Sequence, residues 1–184
     1  TVPESLRFEL AGEVFAETAY YDSLISNYFR KENNIVKQKH FAIPMKLEQS
    51  LRYGENPHQS AWLYGNFTNI CKQLHGKELS YNNIVDINAA CHLITEFDEP
   101  TAAIIKHTNP CGIGTADNLV DAYNKAYETD KDAPFGGIII VNKPFTIELA
   151  QTINEIFTEV LIAPEFEPDA LELLKKKKNR RLIQ

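Results

Sequence analysis

Apolar positions change period along this chain, and the changes predict its elements. Leu6, Leu10, Val14, Leu24, Ile25 and Tyr28 fall near helical spacing, so Pro3 to about Lys31 reads as one amphipathic helix. Pro3 suits a first helical turn, and Glu4 complements the positive end of the helix dipole. "KENNIVKQKH" is polar and irregular and reads as a linker. Phe41 to Tyr64 gives mixed signals: strand-like pieces around "IPMKLEQSLR" and "SAWLYG" flank "YGENPH", a loop by its Gly, Asn and Pro content. Beyond that the period alternates. Helices are expected over Asn82–Phe97, Ala116–Glu128, Ile147–Phe157 and Pro168–Lys176, and strands at "TAAIIKH", "GGIIIVN", "EVLIAP" and "RRLIQ". This β-α-β-α-β-α-β run predicts an α/β fold with a largely parallel sheet flanked by helices, preceded by the N-terminal helical segment. Crossovers of that kind are right-handed. The lysines at 175–178 read as a solvated helix end.

Composition narrows the class without naming it. The 184 residues are 43% hydrophobic and 24% charged, ordinary for a globular protein with a sizeable core. A formal charge of −6 argues against general nucleic-acid binding and leaves room for a small anionic ligand. Cys71, Cys91 and Cys111 are odd in number, widely spaced and form no CxxC pair. That argues against a disulfide framework or a closed zinc site and points to a reduced, cytoplasmic compartment. No apolar run approaches a membrane span and no signal peptide is visible, so no membrane partner is expected. The chain starts at Thr1 rather than Met, which suggests a piece of a longer protein.

Four stretches hold candidate chemistry, each with an ordinary turn as its plain alternative. In "IIKHTNPCGIG", an apolar strand ends in Lys106 and His107. Neighbouring strand side chains point to opposite faces, so the pair converges only if the chain turns there. The Asn-Pro-Cys-Gly that follows is expected to make that turn. A lysine supplies charge and proton donors, and a histidine accepts a proton near neutral pH. In "LRYGENPHQ", Arg52 offers a fork of donors for phosphate or carboxylate, Tyr53 a ring for stacking, and His58 a polar handle. "APFGGIIIVN" places Phe135, Gly136 and Gly137 before a buried strand, where exposed amides can bind anions. In "GKELSYNNIVD", Asn82 and Asn83 either cap the next helix or, for Asn83, bond a ligand. A zinc deaminase needs HxE and PCxxC; here Gly114 stands in the second cysteine's place and no glutamate follows His107 by two, so no metal is expected.

Taken jointly and in order, "LRYGENPHQSAWLYG", "GKELSYNNIVDINAA", "IIKHTNPCGIG", "APFGGIIIVN" and "LIAPEFEPDALELLKKKKNRRL" resemble the bifunctional purine-biosynthesis family that joins aminoimidazole carboxamide ribonucleotide (AICAR) formyltransferase to IMP cyclohydrolase. The first 30 or so residues also resemble the end of that family's cyclohydrolase domain. The resemblance implies residues 1–40 as the tail of the cyclohydrolase domain and linker. It implies residues 41–184 as the first half of the transformylase domain, with a zinc-free, cytidine-deaminase-like fold. It further implies formyl transfer from 10-formyltetrahydrofolate, as co-substrate, to the nucleotide's 5-amino group, in a homodimeric parent. By position, Lys106 and His107 match the family's catalytic pair, Arg52 and Tyr53 its nucleotide-holding residues, and Asn83, Phe135 and Gly136 its contacts. Gly137 would support the turn, and Glu159 falls where the family has an acidic residue near the ligand. On this resemblance the 184 residues hold half a site and have little activity alone. The competing expectation is a non-catalytic nucleotide-binding module. A third class, a structural interaction domain, expects no ligand-sized pocket joining Arg52, Lys106 and Phe135; a ligand site expects these three to line one cleft at the sheet's carboxyl edge.

Overall fold

Pro3 has no backbone N–H to donate, and a helix starts directly after it: α1, Glu4–Glu32. The fold is that of a computed structural model, which describes residues 2–131 and 135–184; Ala133 and Pro134 of the "APFGG" stretch lie outside the described residues. The chain divides into two units, Thr1–Glu48 and Gln49–Gln184.

In the first unit, Arg30 and Lys31 occupy the last turn of α1, where positive charge complements the dipole. The helix stops at Asn34, whose φ of +52° is left-handed. Asn34 N–H donates to Lys31 O at 3.1 Å and Ile35 N–H to Arg30 O at 3.0 Å, the paired bonds of a Schellman ending. The chain then runs back along the helix. Asn27 Nδ2 donates to Ala42 O at 3.0 Å, and Lys46 Nζ lies 5.0 Å from the Tyr20 ring centre. The predicted helix is present, but it buries none of its residues, and Phe8 is 79% exposed.

The second unit is an α/β sandwich of three layers. Its elements are β2 (Ala61–Tyr64), α2 (Phe67–Ile70), β3 (Gln73–His75), α3 (Tyr81–Ile94), β4 (Thr101–Lys106), β5 (Asn109–Thr115), α4 (Leu119–Thr129), β6 (Ile138–Val141), α5 (Ile147–Ile153), β7 (Val160–Ile162), α6 (Pro168–Lys175) and β8 (Arg181–Ile183). A separate two-stranded sheet joins β1 (Leu47–Leu51) to β2. The main sheet has the order β3-β8-β7-β6-β4-β5. Alternation along the central strands sorts their side chains into two cores. Ala102, Ile104, Ile139, Val141 and Leu161 face α4, α5 and α6, whereas Ala103, Ile105, Ile138, Ile140 and Val160 face α3. Covering on both faces explains why "IIIV" is apolar without a break.

The sheet is mixed, which corrects the expectation of a largely parallel one. Among the described strands of this sheet, β6–β7 and β7–β8 pair in parallel; β4 is antiparallel to both β5 and β6, and β3 is antiparallel to β8. The reason lies in "KHTNPCGIG". The Asn-Pro-Cys-Gly expected to turn is instead the start of an edge strand, and the turn is His107-Thr108, with Lys106 paired to Asn109. Pro110 and the glycines suggested a loop, but proline is tolerated on an edge strand, where its missing N–H breaks no ladder bond. A register shift between Ile104 and Ile105 leaves Cys111 as the extra, bulged residue. The glycines serve packing. A Cβ on Gly114 would stand 2.1 Å from Ala122 O, and one on Gly112 2.0 Å from Ala126 O, so α4 lies directly on β5.

Gly114→Ala is therefore expected to destabilise the chain by about 2 kcal/mol or more, because backbone must move. In α1, nothing lies within 4 Å of a Cβ on Gly12. Gly12→Ala is expected to be neutral or to stabilise by up to about 1 kcal/mol. Urea denaturation of both variants checks this; equal effects would contradict the close approach of α4.

Candidate active site

Because β4 is antiparallel to β6, its carboxyl end lies beside the amino ends of the parallel strands. Ile105 pairs with Ile138, Ile138 with Val160, and Val160 with Arg181. One residue further out, Lys106, Gly137 and Glu159 share this edge with Arg181. Strand β3 runs opposite to β8, so Lys77 and Glu78 emerge at the same edge. The expectation of a site at the carboxyl edge is thus met only by β3 and β4; β6, β7 and β8 contribute their amino ends.

The turn that presents Lys106 and His107 is a two-residue hairpin loop. His107 has φ +52° and Thr108 φ +64°, as a type I′ turn requires, although Asn and Gly suit it far better. A β-branched residue there is strained. The turn is pinned from outside: Thr108 N–H donates to Asp86 Oδ1 of α3 at 2.7 Å, and Asn109 Nδ2 donates to His107 O at 2.8 Å. His107 is exposed. Half-buried Lys106 donates from Nζ to Phe135 O at 3.3 Å. Burial pushes the nearby Cys111 thiol up, with the Asp130 carboxylate adding to the shift and the Lys106 ammonium opposing it. Such a thiol is a poor nucleophile.

From Phe135 the edge continues without a gap. The Phe135 ring packs at 5.2 Å from that of Phe157, and Gly136 N–H donates to Phe157 O at 2.9 Å. Gly136 has φ +76°, a value that favours glycine. Gly137 O accepts from Glu159 N–H at 3.1 Å. Glu159 Oε2 lies 3.7 Å from Arg181 Nη1 and 3.5 Å from Asn83 Nδ2. Arg181 is held more firmly by the Glu78 carbonyl, to which Nε and Nη2 donate at 3.1 and 3.0 Å. Asn83 is buried at the third position of α3. It is not the cap: Ser80 is, accepting from Asn83 N–H at 3.2 Å while Asn83 Oδ1 accepts from Ser80 N–H at 3.1 Å. Asn82 instead reaches Glu55 O at 3.5 Å.

Arg52 and Tyr53 line a cavity of about 290 Å³ together with Lys77, Glu78, Leu79, Ser80 and Arg181. The Arg52 guanidinium lies 5.8 Å from the Tyr53 ring centre. This is a small site by the usual range of roughly 300–1,000 Å³, with three cationic side chains for an anionic group. His58 is exposed in the neighbouring loop and is not among the lining residues. Among the described residues, Lys106 and Phe135 are not part of this cavity's lining either. They connect to it along the edge, through Gly137, Glu159 and Arg181. Sequence reasoning passed over Lys77, Ser80 and Arg181. Two signals were available: Ser80 precedes Asn83 by three in a capping pattern, and Arg181 opens an otherwise apolar strand.

Fold and edge together define an α/β protein with a cation-rich pocket suited to an anionic small molecule. A protein-family model described as "AICARFT/IMPCHase bienzyme" matches residues 1–184. Among similar curated proteins, the bifunctional purine biosynthesis protein PurH of Chloroflexus aurantiacus is 54% identical over 100% of this chain and 36% of its own length. That of Thermoanaerobacter sp. strain X514 is 50% identical over 98% of this chain and 37% of its own. That of Limosilactobacillus reuteri is 48% identical over 96% and 36%. The chain belongs to the AICARFT/IMPCHase bienzyme family, and it spans a little over a third of the length of these relatives.

Relief of the strained turn is measurable. Thr108→Gly, which keeps the Asp86 bond to the backbone, is expected to raise stability by about 1 kcal/mol. A thermal melt checks this; a loss of stability would show that Thr108 is not strained.

Proposed function

We propose that the chain carries the catalytic pair and part of the nucleotide site of an AICAR formyltransferase, in a parent protein that also closes the IMP ring. The observation that carries this reading is the continuous polar edge from Lys106 through Phe135 O, Gly137 and Glu159 to Arg181 and Asn83. Family membership supports it over the whole chain. On this reading residues 1–40 are the tail of the cyclohydrolase domain and a linker, and residues 41–184 the first half of the transformylase domain. The fold reads as a zinc-free relative of cytidine deaminases. Support for that comes from the β4–β5 hairpin, the parallel β6–β7–β8 run and Gly114 at the position of a metal ligand.

The roles follow from position. Arg52, with Lys77 and Arg181, supplies charge for the nucleotide phosphate, and Tyr53 an aromatic face. Asn83, Gly136, Phe135 and Glu159 contact or orient the nucleotide, with Gly137 fixing the turn and His58 as an outer polar handle. His107 takes the proton from the weakly nucleophilic 5-amino group, through the adjacent carboxamide. The amine nitrogen bonds to the formyl carbon of 10-formyltetrahydrofolate, and the carbon–N10 bond breaks. Lys106 stabilises the oxyanion and helps return a proton to the departing nitrogen. The remaining folate contacts would come from the rest of a homodimeric, cytoplasmic parent.

A non-catalytic nucleotide-binding module is the second reading, favoured by one fact: the cavity holds Arg52 and Tyr53 but neither Lys106 nor His107. His107→Ala in the full-length parent separates the two. The catalytic reading expects kcat for formyl transfer to fall by about 100-fold or more, with nucleotide affinity little changed. Preserved turnover with altered affinity would establish the binding module. The 184-residue chain alone is expected to show little formyl transfer and no ring closure. Turnover near that of the parent would overturn the half-site reading.

A further inference from the structure

Cys71 and Cys91, distant in sequence, meet on the α3 side of the sheet. Cys71 caps the carboxyl end of α2 and is 8% exposed; Cys91 sits in the third turn of α3, half-buried. Their thiols lie near enough to influence each other's protonation, and both side chains border the same space. Both line a cavity of about 350 Å³ whose walls include Ile94, Ile140, Ile162 and Ile183. Its lining also includes Asn142, Pro164 and Gln184, which follow β6, β7 and β8. This is the edge opposite the candidate active site. Among the described residues no group of three or more His, Cys, Asp or Glu forms a metal site, so no third ligand joins the pair.

We propose that Cys71 and Cys91 form an oxidisable dithiol that reacts with small-molecule disulfides entering this cavity and closes to an intrachain disulfide. Interaction with the Cys91 thiol holds the Cys71 thiol down at about 7, while the same interaction and burial push Cys91 up. Cys71 is therefore the attacking thiolate and Cys91 the resolving thiol. The Cys71 thiolate attacks one sulfur of the small disulfide and expels the other half as a thiolate, which takes up a proton. Cys91 then loses its proton to water, and its sulfur attacks Cys71 Sγ in the mixed disulfide, releasing the second half as a thiol. The small disulfide is reduced to two thiols, and the protein dithiol is oxidised by the same two electrons. The inference stands independently of the formyltransferase reading.

The test treats the chain with oxidised glutathione at neutral pH, then compares intact mass and non-reduced tryptic maps. Trypsin separates the three cysteines into peptides 53–72, 78–106 and 107–125. The expected result is a mass loss of about 2 Da, with peptides 53–72 and 78–106 joined and Cys111 still open to alkylation. Dithiothreitol should reverse it. Cys91→Ser should stop at a glutathione adduct on Cys71. An unchanged mass, a link to Cys111, or stable glutathione adducts on the unaltered chain would overturn the proposal. If Cys91→Ser does not fold, the map of the unaltered chain decides alone.

Discussion

The candidate site edge depends on a reversal of the chain at two residues, His107 and Thr108. Both adopt left-handed φ, so β5 must return along β4 rather than continue away from it. With β5 occupying one side of β4, helix α4 crosses the sheet and delivers β6 to the other side, antiparallel to β4. The next two strands then add in parallel. This sequence of placements is what brings the carboxyl end of β4 against the amino ends of β6, β7 and β8. Had β4 run parallel to β6, Lys106 and Glu159 would stand at opposite edges. The tight turn therefore sets the direction of one strand and, through it, the neighbours of the Lys-His pair. Asp86 binds the turn from α3, so the helix that places Asn83 also fixes His107.

Along the edge the interactions differ in strength. Arg181 is anchored by two N–H groups on a backbone carbonyl, a geometry that hardly changes without moving β8 or the segment before α3. Glu159 is held by contacts of 3.5 and 3.7 Å, and its side chain is 45% exposed. Exposed pairs of this kind contribute about 1 kcal/mol or less. A ligand can replace them at small cost. The edge thus combines a rigid cation with an adjustable carboxylate.

Much of this was readable in the residues. Period changes located α1, α3, α4, α5, α6 and the strands β4, β6, β7 and β8, because both-face burial demands long apolar runs and amphipathic helices demand stripes. Strand direction was not readable. It turned on whether "HTNPCGIG" is a loop or a hairpin with an edge strand. Proline and glycine favour a loop in isolation, while edge position and contact with α4 allow them in β5. The three-residue β3 gave too little periodicity to register at all. At the site, residue types were visible but not proximity: Arg52 and Lys106 were named, whereas Arg181 lies more than 70 positions from Lys106 and reaches it only through sheet register. The same limit hid the Cys71–Cys91 contact, since spacing in sequence says nothing of a helix end meeting a helix face.

The central claim is that one continuous edge receives the nucleotide. The most direct measurement is an amide NMR titration of the isotope-labelled chain with AICAR. The account predicts shifts that spread from Tyr53 through Asn83, Glu159 and Gly137 to Lys106 and His107. Shifts confined to the opposite side of the sheet, around Asn118 and Thr146, or no shifts at saturating nucleotide, would contradict it.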